Sequence, residues 1–458
     1  MEVMNVGEIV LAVRGEAVNC NECLLIKGVS TDSRKINMGD LFIPISGPNF
    51  DGHDFIDNAM AAGAALVFSE KDLYKEKTPY IKVKSTRNAL MDLASYYRSK
   101  FNIPAVAITG SSGKTTTKEM VSAILSQSFK VLKNEGNYNN TIGLPLTIFK
   151  LNKNHEICVL EMGMNNFGEI KNLSSIVKPC MAVITNIGTA HIEYLGCREN
   201  IMKAKMEVVS FFNAKDTAIL NGDDDMLANI KDNSFNIIKT GLKSENQIYA
   251  SDLVQIEDKG MEFSVHIGEN IQRFYIPIVG IHNVYNALCA IAVGLSMGMN
   301  IDKIKQGLSS FATASMRMEA ITLDNGIKII NDAYNANPES MAAAIEVLSS
   351  IECKSRRVLV LGDMLELGIY SENEHYKIGH LAANTGIDIL IAVGKRAEAM
   401  ARGALDHGML KDKVFHFADN HHAMNEIWNI LLPFDAVLLK ASRAVKMEEI
   451  VDFLQERR

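Results

Sequence analysis

Residues Ala105 to Met120 read AVAITGSSGKTTTKEM, and the way this stretch folds decides how the rest of the chain is arranged. The apolar run Ile103–Ile108 predicts a buried strand. Gly110, Ser111, Ser112, Gly113, Lys114 and Thr115 follow, and then a helix carrying Met120, Val121, Ile124 and Leu125. A strand, a glycine turn and a helix start make a cradle in which backbone N–H groups and a lysine hold phosphate. Lys114 would neutralise the β- and γ-phosphates, and the Thr115 hydroxyl would reach a Mg²⁺ ion. The loop is short: the general pattern G-x-x-x-x-G-K-[ST] asks for a glycine where Ile108 stands. The bland reading is an ordinary turn with a solvated lysine. The strand before it and the threonines Thr115, Thr116 and Thr117 after it favour a bound nucleotide.

A chain of 458 residues is too long for one core, and at about 150 residues per domain it predicts three. The sequence is 47% hydrophobic and 22% charged, the balance of an ordinary soluble globular protein. A net charge of -7 argues against a broad surface for nucleic acid or anionic membrane. The N-terminus MEVMNVGEIV lacks the basic start and apolar run of a secretory signal. No apolar stretch reaches the length of a membrane span. Seven scattered cysteines, an odd number, make no disulfide framework, and Cys20-x-x-Cys23 has no second ligand pair beside it. A reduced, cytoplasmic protein that binds neither nucleic acid nor membrane is expected.

Working outward from the loop, residues 1–102 form a separate N-terminal domain with two polar turns. Ser30, Thr31, Asp32, Ser33 and Arg34 make one; Asn49, Asp51, Gly52 and His53 make the other. Such residues favour capped turns in any case, and they equally suit a pocket for a polar ligand with Arg34 clamping an anion. A linker falls near Ser99 to Pro104. Residues 103–312 alternate in an α/β rhythm, with strands expected at Ile157–Leu160, Ala182–Ile187 and Thr217–Leu220, which predicts a mostly parallel sheet. Ligands gather beyond the carboxyl ends of such strands. Glu161 stands at one of these ends and suits Mg²⁺ as a hard oxygen ligand. Asn186 stands at another, and His191, a few residues on, reads by itself as a packed or solvated histidine. Asp223, Asp224 and Asp225 read as a solvated turn without chemistry.

From Gln247 to Val279 the texture changes to hairpins, and Gly280 then opens a helix with Asn283 near its N-cap. A second linker lies between Leu308 and Met316. Residues 313–458 read as a Rossmann-like domain, with strands at Ile327–Ile330, Val358–Leu361, Ile389–Val393 and Ala436–Leu439. Its strand ends carry Asn331-Asp332, Gly362-Asp363, Gly394-Lys395 and Lys440 to Arg443. Asn335, Asn337 and Ser340 surround Pro338 in a loop that caps the next helix. The fold class is thus α/β in three domains: a small α/β N-terminal domain, a central P-loop-type sheet and a C-terminal Rossmann-like domain.

These residues resemble the Mur ligases along essentially the whole chain. The resemblance rests on STDSR at Ser30–Arg34, FDGH at Phe50–His53, TGSSGKTTTKEM at Thr109–Met120 and GNYNNTIGLP at Gly136–Pro145. It continues in EMG at Glu161–Gly163, NIGTAHIEYLG at Asn186–Gly196, GIHNVYNAL at Gly280–Leu288, LGDMLELG at Leu361–Gly368 and KASR at Lys440–Arg443. NDAYNANPESM at Asn331–Met341 is its most specific part, and it points to the branch that adds D-Ala-D-Ala. The neighbouring branch, which adds the third residue, typically carries a D-N-P-R signature in its diaminopimelate-binding form, and none is found here.

The resemblance implies a set of roles. Gly110, Ser111, Ser112, Gly113, Lys114, Thr115 and Thr116 would hold ATP, with Asn283 and Asp332 toward the adenosine and Arg317 reaching phosphate as the domains close. Thr115 and Glu161 would ligate one Mg²⁺, with His191 near a second. Lys205 aligns with the lysine that family members carbamylate to position that second ion, although AKGE reads AKME here. Ser30, Thr31, Asp32, Ser33, Arg34, Asp51, Gly52 and His53 would hold the UDP part of a UDP-N-acetylmuramoyl-tripeptide. Asn335, Asn337 and Ser340 would lie on the substrate side of the amine-binding C-terminal domain. The implied reaction is ATP-dependent ligation of D-Ala-D-Ala through an acyl phosphate, by a monomer. The alternatives are a third-residue Mur ligase, a folylpolyglutamate synthase, or a P-loop ATPase that ligates nothing.

Overall fold

The computed structural model describes residues 1–47, 49–73 and 78–456. Residues 48 and 74–77, inside the expected domain 1–102, and 457–458, inside the expected domain 313–458, lie outside the described residues. The chain gathers into two compact units. One comprises Met1–Thr109, Ser128–Ala182 and Met206–Thr217; the other comprises Gly110–Gln127, Val183–Lys205 and Ala218–Arg458.

The first unit opens with a small sheet in the order Glu16–Val18, Tyr80–Lys82, Leu66–Ser69, Asp40–Phe42, Gly28–Ser30. Only its Glu16–Val18 edge is antiparallel. Phe42, Ile56, Ala59, Val67 and Tyr80 fill one core of this sheet. Ser85 caps the helix Thr86–Ser99, whose buried stripe includes Leu90, Leu93, Ala94 and Tyr97. That spacing repeats every three or four residues, the period of one helix face. Beyond the helix, Arg98 donates to the carbonyls of Phe101 at 2.6 Å and Ile103 at 2.7 Å. Ile103 is therefore tied to the helix end and Pro104 has no N–H to give, so the strand expected from Ile103 starts at Ala105 instead. Ala105–Thr109 runs parallel to Ile157–Glu161, which runs parallel to Val131–Lys133. The first two of these strands are buried at every residue, as parallel strands covered on both faces are.

In the second unit, three helices fix the direction of the phosphate loop. Lys114–Leu125 packs with Ile281–Ser296 and Ile301–Ser309. Glycine makes the approach close: a Cβ on Gly307 would fall 2.5 Å from Ile124 Cα. The hairpins expected after Gln247 are present as Ile248–Ile256, Gly260–Ile267 and Asn270–Ile276, all antiparallel. The C-terminal sheet has the order Glu319–Thr322, Lys328–Asn331, Ala436–Lys440, Arg357–Gly362, Ile389–Val393, Val414–Phe417. All its pairings are parallel except that of the Glu319–Thr322 edge. The last strand in sequence, Ala436–Lys440, slots between two earlier ones, so the chain reverses its direction of travel across the sheet there. Crevices at such a reversal are where ligands bind. No helix among the described residues is long and apolar enough to cross a membrane.

Candidate active site

Two glycines shape the phosphate loop. Gly110 has φ 149° and Gly113 φ 76°, values that residues with a Cβ rarely adopt. A Cβ on Gly110 would lie 1.8 Å from Thr185 Oγ1, and one on Gly113 would lie 2.4 Å from Asn286 Oδ1. The loop is laced to the segment after the strand Met181–Ile184. Ser111 N donates to the Asn186 carbonyl and Ser112 N to Asn186 Oδ1, each at 3.0 Å. Thr185 Oγ1 donates to the Ser112 carbonyl at 2.6 Å. This lacing explains why the strand expected to reach Ile187 stops at Ile184: from Thr185 onward the chain serves the loop. The helix Lys114–Leu125 starts at Gly113 with no side-chain cap, and the amides of a helix start attract anions. Lys114 folds back over the loop, its Nζ donating to the carbonyls of Gly110 at 2.8 Å and Ser111 at 3.2 Å.

A cavity of about 610 Å³ opens on this loop. Ser111, Ser112, Gly113, Lys114, Thr115 and Thr116 line it together with Asn283, Arg317, Asp332, Asn335, Asn337 and Ser340. The structure thus brings residues expected to hold the nucleotide to the same cavity as the C-terminal loop around Pro338. Gly110, Lys205 and His191 are not among its lining residues. Lys205 sits behind the loop, 1% exposed, with Nζ donating to the Gly110 carbonyl at 2.9 Å. Burial, reinforced by the charge of Lys114, pushes this amine well below the ordinary lysine range. His191 adopts φ 66° and pairs through Nδ1 with Glu366 Oε2 at 2.6 Å. That contact holds the Glu366 carboxyl below its usual range against the effect of its burial.

Asn283 does not cap its helix; Gly280 is the N-cap residue. Asn283 stands inside the first turn, where Nδ2 donates to the Val279 carbonyl at 2.8 Å and Oδ1 accepts from Asn286 Nδ2 at 3.1 Å. On the C-terminal side, buried Lys440 donates to Asp332 Oδ2 and to the Asn335 carbonyl at 3.0 Å. Asp332 Oδ1 accepts from Met318 N at 3.3 Å, and the neighbouring Arg317 guanidinium stacks 4.3 Å from the Tyr334 ring centre. Asn337 is the N-cap of Pro338–Ser350 in a reciprocal box with Ser340, as the loop reading expects.

The acidic triplet is a turn whose Asp225 is exposed as expected, but Asp223 and Asp224 are half-buried and engaged. Asp224 lines the cavity and accepts from Ile187 N at 2.8 Å. Asp223 accepts from Leu242 N at 2.6 Å and from Tyr285 OH at 3.0 Å. Asp225 pairs with Arg198, whose guanidinium also holds the Ile187 carbonyl. Sequence reasoning missed Arg198, Glu339 and Glu366, which hold this segment from elsewhere in the chain. Lys440 was visible as a polar strand end and in the KASR motif, with no role assigned.

In the first unit, both polar turns are capped locally. Asp32 accepts from Arg34 N at 3.0 Å and pairs with the exposed Arg34 guanidinium. That guanidinium holds the Asp32 carboxyl down to about 2. Asp51 gathers Lys71 Nζ, Ser46 Oγ and both N and Nδ1 of His53, which hold it well below the carboxylate range. Gly52 passes close to the backbone: a Cβ there would meet Ile45 N at 2.5 Å. Glu161 ends its strand 3% exposed, with Oε1 accepting from Asn139 Nδ2 at 2.8 Å and N donating to Asn134 Oδ1 at 2.9 Å.

Comparison with known proteins agrees with this layout. Residues 25–98 match the Mur ligase family catalytic domain, 108–294 the Mur ligase middle domain, and 316–443 the Mur ligase glutamate ligase domain. The chain is 41% identical to the UDP-N-acetylmuramoyl-tripeptide–D-alanyl-D-alanine ligase of Bacillus subtilis, over 99% of this chain and 98% of that one. It is similar in structure to MurF from Acinetobacter baumannii, with TM-score 0.92, 33% identity and coverage of 100% and 99%. MurF from Thermotoga maritima, solved in complex with ADP, superposes with TM-score 0.83 at 29% identity, covering 94% and 97%.

Proposed function

The chain belongs to the Mur ligase family, and on that premise we propose that it joins D-alanyl-D-alanine to UDP-N-acetylmuramoyl-tripeptide with ATP. It is an ATP-dependent ligase of peptidoglycan precursor synthesis, and its full-length relatives are named UDP-N-acetylmuramoyl-tripeptide–D-alanyl-D-alanine ligase. The observation that carries this reading is the single cavity lined both by the phosphate loop and by Asn335, Asn337 and Ser340. A carboxylate is a poor electrophile, so it must be activated before an amine can attack it. The tripeptide carboxylate attacks the γ-phosphorus; the bond to the β-phosphate oxygen breaks, and ADP leaves an acyl phosphate. The dipeptide amine then attacks the carbonyl carbon and gives up a proton, and the C–O bond to phosphate breaks.

Each group of residues has a part in this. The amides of the loop and Lys114 hold the phosphates and oppose the charge that builds on the transferred group. Asn283 and Asp332 hold the adenosine, Arg317 reaches phosphate, and Asn335, Asn337 and Ser340 receive the dipeptide. The two capped turns of the first unit hold the UDP group. Thr115 offers a hydroxyl oxygen and Glu161 a carboxylate oxygen, each a hard ligand that would suit Mg²⁺, and His191 would serve a second ion; metal so held would supply positive charge to the phosphates. Lys205 carries a carbamate. Only a neutral amine adds to CO₂, and an ordinary lysine of pKa ~10.4 is neutral at pH 7 in roughly one copy in two thousand. The buried position of Lys205 supports the neutral form.

Mass spectrometry of the product formed from ATP, D-Ala-D-Ala and a UDP-tripeptide tests the reading. Run with lysine and with diaminopimelate at the third position, it also identifies the substrate. Phosphate release should require both the tripeptide and the dipeptide. Release indifferent to the dipeptide would overturn ligation in favour of a plain ATPase.

A further inference from the structure

We infer that Glu339 is a positioning residue for the nucleotide phosphates, acting through Thr189 and Gly188 on Ser111 of the phosphate loop. The inference rests on the nucleotide part of the reading above.

Glu339 lies in the first turn of Pro338–Ser350, and its Oε1 accepts two bonds from one residue, Thr189 N at 2.7 Å and Thr189 Oγ1 at 3.0 Å. The residue before, Gly188, donates its N–H to Ser111 Oγ at 2.8 Å. Two positions before Glu339, Asn337 Nδ2 donates to the Ser111 carbonyl at 3.4 Å. The start of one C-terminal helix therefore bears on Ser111 twice, directly through Asn337 and through the Gly188–Thr189 turn by way of Glu339. A bare carboxylate on the wall of a phosphate cavity would repel its ligand. Here Oε1 is taken up by the two Thr189 donors, and Oε2 is buried with no hydrogen-bond partner among the described residues. An anionic oxygen buried unpaired costs free energy, so the Thr189 bonds have to hold the group in place.

Gly188 supplies an independent mark of the same contact. A Cβ there would meet the Glu339 carboxylate carbon at 2.5 Å and its two oxygens at 2.6 and 2.7 Å. Gly188 is not among the residues of positive φ, so its backbone tolerates alanine. The three atoms nearest to that Cβ all belong to Glu339.

The experiment is calorimetric titration of the full chain with ADP and Mg²⁺, alongside thermal unfolding of each variant. Glu339→Ala should weaken ADP binding roughly tenfold to a hundredfold, the range for a hydrogen bond to a charged group. Gly188→Ala should do likewise in the native background, yet add less than about twofold when Glu339 is already alanine. If Glu339→Ala fails to fold, Glu339→Ser paired with Gly188→Ala makes the same comparison. ADP affinity unchanged in Glu339→Ala would overturn the inference. So would Gly188→Ala that is equally damaging with and without the carboxylate. ADP binding is defined whichever amine is ligated, so failure here leaves the product assay of the ligase reading standing, and failure of that assay leaves this cycle readable.

Discussion

Lys205 Nζ and the carbonyl of Gly110 meet at 2.9 Å behind the phosphate loop, in a position that is 1% exposed. An ammonium in such a place would be costly, since an ion loses its hydration there and gains little from one carbonyl. Carbamylation of the neutral amine would place a negative charge beside Lys114. Lys205→Ala should therefore lower ligation about a hundredfold or more, the scale of a misplaced catalytic group. Millimolar formate or acetate should restore part of it by supplying the missing carboxylate. Loss that neither anion relieves, together with no carbamate carbon signal after exposure to ¹³CO₂, would count against this role.

Gly113 opposes a side chain on two counts. Its φ of 76° and the Asn286 Oδ1 atom 2.4 Å from a virtual Cβ act against alanine by strain and by collision at once. Gly113→Ala should abolish measurable ATP binding and destabilise the fold by about 1–3 kcal/mol. Lys114→Ala should abolish ligation with the melting temperature little changed, because the lysine bonds the Gly110 and Ser111 carbonyls of its own loop. Parallel thermal melts and product assays separate the two outcomes.

The fold was readable wherever the information was local. The buried parallel strands announce themselves as apolar runs, and the hairpins after Gln247 show as alternation, because each pattern is a property of neighbours in sequence. The phosphate loop was readable for the same reason. What stayed hidden depends on residues that meet only after folding: Glu339 and Thr189 are separated by 150 positions, and Lys205 and Gly110 by 95. The acidic triplet misled for a related reason. Three acids after Asn-Gly look like a solvated turn until Arg198, Leu242 and Tyr285 arrive to use them. Strand ends erred by a few residues where a side chain pre-empted the backbone, as Arg98 does at Ile103.

Arg34 offers a test that separates substrate binding from fold support. Its guanidinium side chain is 85% exposed and pairs with Asp32, and an exposed pair of that kind contributes about 0–1 kcal/mol. Arg34→Ala should leave the melting temperature within a degree or two. If the guanidinium also meets the UDP group, KM for the UDP-tripeptide should rise about tenfold or more while KM for ATP stays constant. A KM that does not move would return the turn to a purely structural role.

Lys440 and Asp332 form a pair in which neither partner can be lost alone. Lys440 is 1% exposed and Asp332 7%. The lysine also reaches the Asn335 carbonyl, while Asp332 holds Met318 N beside Arg317. Removing one charge leaves the other buried and unpaired, so Lys440→Met should cost about 3–5 kcal/mol in urea unfolding. The double variant Lys440→Met with Asp332→Asn should cost clearly less than the sum of the two singles. The pH dependence has a definite sign. Burial lowers the Lys440 amine below its ordinary value, against the pull of Asp332. Between that lowered value and the unfolded value of ~10.4, the unfolded chain binds more protons than the folded one. Stability of the native chain relative to the double variant should therefore rise with pH across this window, and the penalty of the charged amine should be fully present below it. A difference that falls as pH climbs from 8 to 10 would show that the pair holds its proton more tightly folded than unfolded, the opposite of what its burial demands.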